Sequence, residues 1–116
     1  MAIMPPLTAN PTLSDLQAWT VAMKAANNWT PTDFRHELAL LVEEVGELAK
    51  AHRKISSHGH LTESQRTESS DSVGEEMADV LIYLCSLANV SGVNLEAALR
   101  AKLEKNQNRE WTKNAS

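Results

Sequence analysis

The sequence predicts an all-α protein built as one domain. Its 116 residues suffice for a single hydrophobic core but not for two ordinary domains. Hydrophobic residues make up 42% of the chain and aromatic residues only 4%, a balance typical of aliphatic helices rather than of sheet. Apolar residues also recur at helical spacing in four segments. We therefore expect a four-helix bundle.

The first two helices are predicted from their caps and breaks. Helix one is expected at about 13–27, with Thr12 or Ser14 as its N-cap. The stretch 27–31, which holds two asparagines and a proline, ends this helix. Helix two is expected at about 33–55 with Thr32 as its cap.

The second half of the chain begins with a polar, serine-rich segment at 56–74, which predicts a mobile connection or one short helical turn. Helix three is expected from near Ser72 to about Val90. Gly92 then supplies a stop, and Asn94 is predicted to cap the next helix.

Helix four is expected at about 95–107. The whole helical domain is placed at 13–111, between a flexible N-terminal arm at 1–12 and a C-terminal tail at 112–116.

Charge and cysteine content exclude several classes of function. A net charge of −4 gives no basic footprint for a nucleic-acid polymer. The single cysteine, Cys85, excludes a disulfide framework and favours a reducing cytoplasm. The longest strongly apolar run, Val80 to Val90, is well short of the ~18 residues that a membrane span needs. The N-terminus also lacks the basic and apolar regions of a signal peptide.

Two acidic clusters stand out against this background. At about 100° per residue, Glu43, Glu44 and Glu47 of helix two fall on one helix face. Glu76 and Asp79 of helix three are i and i+3 neighbours, and Tyr83 lies on the same side. Acidic pairs of this kind are also common on solvated helix surfaces, which is the alternative interpretation.

Asp79 favours a metal site over that alternative. Apolar residues flank it in "EEMADVLIYL", and an isolated carboxylate in an apolar interior is costly unless it is neutralised, paired or bound to a metal. If helices two and three lie antiparallel, they bring together an all-oxygen set of the kind that Mg²⁺ prefers. Its members are Glu44, Glu47, Glu76 and Asp79.

The spacing of these carboxylates resembles a known signature. The pattern E-E-x-x-E, a gap of 28 residues, and E-x-x-D is similar to that of the MazG-like all-α nucleoside triphosphate pyrophosphohydrolases. The blocks "ALLVEEVGELAKA" and "EEMADVLIYLCSLANVSGVNLEAALRAKLEKNQNREW" also resemble the core of that superfamily, so the likeness covers roughly 29–111. Among its members, the chain looks most like the dCTP pyrophosphatase-like subgroup.

The resemblance implies a mechanism and a set of site residues. It makes Glu44, Glu47, Glu76 and Asp79 ligands of Mg²⁺, with Mn²⁺ as a substitute, and Glu43 an accessory carboxylate for the attacking water. The reaction would hydrolyse the bond between the α- and β-phosphates, which yields a nucleoside monophosphate and pyrophosphate.

A basic face on helix four is predicted to bind the triphosphate. Lys102, Asn106 and Arg109 are spaced i, i+4 and i+7, and the resembled family uses K-x-x-x-N-x-x-R at this place. The alternative is a basic helix end that complements the helix dipole.

Two aromatic residues are candidates for the base-binding site. The resemblance gives Trp29 a role in holding the base, and Tyr83 falls where the family often has an aromatic residue. Core packing is the alternative for both residues.

The expected substrate is a nucleoside triphosphate, with dCTP or a modified pyrimidine first and nucleotide-pool housecleaning as the role. An all-α dUTPase and a phosphoribosyl-ATP pyrophosphatase remain as related enzymes, and a non-catalytic helical binding module remains as a different class. The apolar surface of helix three and the resemblance together predict a homodimer or homotetramer.

Overall fold

The chain folds into four α-helices. A computed structural model describes residues 1–30, 32–57, 59 and 61–109. The helices are α1 (Leu13–Ala26), α2 (Phe34–Ser57), α3 (Glu63–Ser91) and α4 (Leu95–Gln107). No strand occurs in the described part of the chain. The all-α prediction is confirmed, while residues 110–116, which include the end of the predicted domain and the predicted tail, lie outside the described residues.

Short polar side chains begin the first two helices. Thr12 caps α1 in a reciprocal box, in which the Asp15 amide donates to the Thr12 hydroxyl at 3.0 Å and the Thr12 amide donates to the Asp15 carboxylate at 2.9 Å. In α2 the His36 amide donates to Asp33 Oδ1 at 2.9 Å. The cap of α2 is therefore Asp33 and not the predicted Thr32, whose hydroxyl is engaged elsewhere.

Helix α3 begins well before the predicted start at Ser72. Thr62 and Gln65 form a second capping box, with bonds of 2.9 and 3.1 Å. The prediction of a mobile segment at 56–74 was wrong for most of its length, because residues 63–74 belong to α3. The sequence does contain a T-x-x-Q helix-start motif at Thr62–Gln65, but the serine-rich composition of the segment favoured a loop.

The junction between α3 and α4 agrees with the prediction. Gly92 ends α3 in the left-handed conformation, at φ 68°, where a residue without Cβ is favoured. Asn94 then caps α4 by accepting from the Ala97 amide at 2.9 Å.

Packing centres on α3. Helix α2 makes its most extensive contact with α3, α1 also packs on α3, and α4 contacts α1. Among the described residues, the buried apolar side chains are Met23 of α1, Ala51 of α2, and Cys85 and Ala88 of α3. The extensive α2–α3 contact holds together the two helices that carry both predicted acidic clusters.

The N-terminal arm has defined contacts with α1 and the residue that follows it. The Asn27 side chain exchanges two hydrogen bonds with the backbone of Ile3, at 2.6 and 2.7 Å. Trp19 Nε1 donates to the Pro5 carbonyl at 2.7 Å. These bonds place the arm beside the bundle, and its predicted flexibility stays a prediction.

Within the described residues, no single helix has both the length and the hydropathy to cross a membrane. Helices α3 and α4 meet those criteria only as a pair, which is bent by 97°.

Candidate metal and nucleotide site

The α2–α3 contact brings three carboxylates together. Glu44 comes from α2, and Glu76 and Asp79 come from one face of α3. One oxygen of each lies within 4.8 Å of the others, and all three residues are half-buried. We call these three residues the acidic cluster.

The electrostatics of the acidic cluster favour a cation. Burial raises the pKa of Glu44, and the nearby carboxylates of Glu76, Asp79 and Glu47 raise it further. Glu76 Oε2 is buried and has no hydrogen-bond partner among the described residues. A divalent cation would neutralise this repulsion and coordinate the unpartnered oxygen, and the all-oxygen donor set fits Mg²⁺.

The other two predicted carboxylates lie at the edge of the cluster. Glu43 and Glu47 are both exposed on α2 and do not belong to the group within 4.8 Å. Glu47 is nevertheless close enough for its charge to raise the pKa of Glu44. The structure thus brings together three of the four predicted metal ligands and places the fourth nearby.

A cavity of about 370 Å³ adjoins the acidic cluster at Asp79. Its volume falls in the range of ~300–1,000 Å³ that is usual for small-molecule sites. Trp29 and Tyr83, the two predicted base-binding residues, both line it. Burial raises the pKa of Tyr83, as do the charges of Glu44 and Asp79, so its hydroxyl stays protonated and able to donate.

Glu37 of α2 also lines this cavity, and the sequence analysis missed it. Only 2% of its surface is exposed. Its Oε1 accepts from Lys24 Nζ at 2.8 Å and from the Thr32 hydroxyl at 2.6 Å. A signal was present, because Glu37 stands seven residues before Glu44 and therefore on the same helix face.

The predicted phosphate-binding residues lie on α4 or just after it. Lys102 is exposed, Asn106 is half-buried, and Arg109 follows the end of α4. None of the three is among the described residues that line the cavity beside Asp79. Within the described residues, the extensive contact of α4 is with α1 and not with α2 or α3, which carry the acidic cluster.

Comparison with protein families decides the class of protein. Residues 33–112 match the model of the MazG nucleotide pyrophosphohydrolase domain. The chain belongs to the MazG nucleotide pyrophosphohydrolase family. The match covers α2, α3 and α4, and thus every carboxylate of the candidate site. The resemblance stated from the sequence is confirmed, as is the prediction of a nucleotide pyrophosphohydrolase at the level of the family.

The relatives of this chain differ in how much of their own length it covers. It is 33% identical to the uncharacterized protein YvdC of Bacillus subtilis over 80% of this chain and 91% of YvdC. It is 33% identical to rat dCTP pyrophosphatase 1 over 85% of this chain, but spans only 59% of that protein. It is 37% identical to the dATP/dGTP diphosphohydrolase of cyanophage S-2L over 66% of this chain and 56% of that protein.

A solved structure supports the MazG fold. The crystal structure of iMazG from Vibrio DAT 722 superposes with a TM-score of 0.61 at 37% sequence identity. The superposition covers 85% of this chain and the whole of that one.

Proposed function

We propose that this MazG-family protein is a Mg²⁺-dependent pyrophosphohydrolase that converts nucleoside triphosphates into monophosphates and pyrophosphate in the cytoplasm. The observation that carries the proposal is the convergence of Glu44, Glu76 and Asp79 beside a cavity lined by Trp29 and Tyr83. Such an arrangement suits a substrate with a highly charged phosphate end and a flat apolar end.

The acidic cluster is assigned to Mg²⁺, with Glu47 as the fourth ligand. When bound, the metal would neutralise phosphate charge and lower the pKa of a coordinated water. Glu43 is exposed on α2 beside the cluster and is assigned to orient or deprotonate the attacking water.

The cavity is assigned to the base. Asp79 belongs both to the acidic cluster and to the cavity lining, so a nucleotide can span from one to the other. Trp29 provides an indole for stacking, and Tyr83 provides a ring and a protonated hydroxyl.

The preferred substrate is proposed to be dCTP or a modified pyrimidine relative, with nucleotide-pool housecleaning as the role. The names of two relatives support a deoxynucleotide, since one is a dCTP pyrophosphatase and the other a dATP/dGTP diphosphohydrolase. Cytosine carries an exocyclic amino group at C4 and adenine one at C6, whereas guanine carries its amino group at C2 and an oxo group at C6.

The triphosphate is assigned to Lys102, Asn106 and Arg109, a role that requires them to approach an acidic cluster. Because α4 packs on α1 within one chain, a second subunit is the proposed source of this face. This assignment links the phosphate contacts to the oligomeric state.

We propose a homodimer or homotetramer. Each of α2 and α3 exposes apolar side chains at i, i+4 and i+7, namely Leu38, Val42 and Val45 on α2 and Met77, Leu81 and Leu84 on α3. The radius of gyration is 17.7 Å, against about 13 Å for a compact globular chain of this length. Both features suit a subunit whose core is completed by another copy.

Light scattering tests the oligomer. The wild type is expected to have at least twice the mass of one chain at micromolar concentration, because association covers the exposed stripes. Leu81→Glu should shift the mass towards one chain or lower the melting temperature, whereas Thr67→Glu, on the polar part of α3, should do neither. A wild-type monomer would contradict the proposal.

Pyrophosphate release tests the proposed reaction. The wild type is expected to release pyrophosphate with Mg²⁺, and not with a chelator, from at least one of the eight common nucleoside triphosphates or from a modified pyrimidine such as 5-methyl-dCTP. Glu47→Ala is expected to abolish this release, because Glu47 is assigned as the fourth metal ligand.

Three other results would redirect the assignment. Selectivity for dUTP alone would favour an all-α dUTPase. Activity on phosphoribosyl-ATP alone would identify that pyrophosphatase. A folded protein that is silent on every substrate would contradict catalysis and favour a helical binding module.

A further inference from the structure

We propose that Glu37 Oε2 accepts a hydrogen bond from an exocyclic amino group at C4 of a pyrimidine or C6 of a purine, and selects such bases over those with an oxo group at that position. This inference rests on the proposed function, because it names the substrate class of the same cavity. It is carried by a buried carboxylate, on a residue that lines the cavity, with one oxygen engaged and the other unpartnered among the described residues.

The two oxygens of Glu37 have different surroundings. Oε1 takes both hydrogen bonds, from Lys24 Nζ at 2.8 Å and from the Thr32 hydroxyl at 2.6 Å. Oε2 is buried and has no partner among the described residues. A buried acceptor without a donor is costly, so a ligand that supplies one gains affinity.

Glu37 lines the cavity that is assigned to the base. It lines the cavity that Trp29, Tyr83 and Asp79 also line, and Asp79 belongs to the acidic cluster at the other end of the proposed nucleotide. A base held against Trp29 therefore presents an edge to the wall that contains Glu37.

The charge state of Glu37 makes it an acceptor only. Burial raises the pKa of this carboxyl, but the hydrogen bonds and charge of Lys24 and the hydroxyl of Thr32 outweigh burial and hold the pKa below its usual value. An ionised carboxylate offers no proton, so an oxygen of the base at the same place would meet another acceptor.

The recessed position of Oε2 selects the kind of donor. This atom is buried. A group that projects from the ring can reach such an atom, whereas a ring N–H at the edge of the base is held back by its neighbours. The exocyclic amino group at C4 of cytosine or C6 of adenine has the required shape.

Two matched nucleotide pairs test the inference, dCTP against dUTP and dATP against dITP, which differ in amino or oxo at that position. The wild type is expected to favour the amino member by at least about tenfold in kcat/KM, as one charge-assisted hydrogen bond allows. The ratio of kcat/KM between the amino and oxo members is evaluated for each pair that the protein hydrolyses.

Glu37→Gln sharpens the test. Lys24 can only donate, so the carbonyl of the new side chain must take the place of Oε1, and its NH₂ takes the place of Oε2. The variant is expected to lose the amino preference or to reverse it. Glu68→Gln, an exposed carboxylate elsewhere on α3, is the matched control and should keep the wild-type ratio.

A binding measurement separates this inference from the proposed reaction. Calorimetry with the α,β-imido forms of dCTP and dUTP needs no hydrolysis. If no pyrophosphate is released but the amino form binds more tightly and Glu37→Gln removes that preference, the inference stands and the reaction fails.

Three results would overturn the inference. One is an equal affinity of the wild type for amino and oxo nucleotides, which would assign Oε2 to an ordered water. Another is an equal loss of kcat/KM for the amino and the oxo nucleotide in Glu37→Gln. A purely structural role of Glu37 would lower activity in this way without changing the ratio between the two nucleotides. The third is no nucleotide binding at all.

Discussion

Asp79→Asn is expected to abolish Mg²⁺-dependent pyrophosphate release, with a loss of at least about a hundredfold. Mutation of a residue that only supports a metal ligand already lowers metal affinity or activity by roughly 10–100-fold. Asp79 is proposed as a direct ligand, so a larger loss is expected. The amide keeps the size of the side chain but removes the negative charge that holds a hard cation. The measurement is kcat/KM for the best substrate of the wild type.

Metal binding supplies a second readout for this variant. Mg²⁺ is expected to raise the melting temperature of the wild type by mass action and to leave that of Asp79→Asn nearly unchanged. Without metal the variant should be at least as stable as the wild type, because the Asp79 charge contributes to the raised pKa of Glu44.

Asp71→Asn is the matched control, since Asp71 is exposed on the same helix and lies outside the acidic cluster. It should keep both the activity and the thermal shift with Mg²⁺. If Asp79→Asn keeps its activity, or if it loses stability to the same extent with and without metal, Asp79 has a structural role and the proposed metal site is wrong.

The acidic cluster could be predicted because residues close together in the sequence indicate it. Glu76 and Asp79 reveal their shared face by spacing alone, and Asp79 stands out against apolar neighbours. Pairing with Glu44 then needs only that α2 and α3 lie together, which is their main contact.

The start of α3 was missed for a different reason. A serine-rich composition favours a loop, but the Thr62–Gln65 box satisfies free amides at the helix start and lets the helix extend. A specific capping pair outweighed the average propensity of the segment.

Glu37 was missed because its role depends on a contact between helices. In the sequence it is one more polar residue near the start of α2, and nothing nearby marks it as buried. Lys24, which lies on α1, offsets the cost of that burial by supplying a neutralising charge across the tertiary contact. The seven-residue spacing from Glu44 places Glu37 on the helix face of Glu44, but its burial becomes visible only when the packing is known.

The Lys24–Glu37 pair leads to the second large expected effect. Lys24→Met is expected to lower the free energy of unfolding at pH 7 by about 3 kcal/mol, the low end of the cost of breaking a buried pair. Glu37 is 2% exposed and would lose its cation, while Lys24 is 21% exposed, so solvent screens part of the effect. Methionine retains the apolar stem, which isolates the loss of charge.

Urea unfolding at one fixed protein concentration measures the change, because association would otherwise shift the midpoint. Lys50→Met, an exposed lysine of α2, is the matched control and should change stability little. Lys24→Met combined with Glu37→Leu should recover much of the loss, since an apolar pair leaves no buried charge.

The effect of Lys24→Met on stability is expected to depend on pH, in a direction set by the pKa of Glu37. In the wild type the folded-state pKa of Glu37 lies below its ordinary value of 4.5, so the pair stabilises the fold above that pH and the contribution is lost as pH falls through the folded pKa. In Lys24→Met, Glu37 is buried without the ammonium, so its pKa should be raised instead. Protonation of Glu37 then removes the cost of burying its charge. The difference between wild type and variant should therefore be large at pH 7 and shrink as pH falls towards 4.5. A difference that stays constant over this interval would show that Lys24 contributes by packing and not by neutralising Glu37.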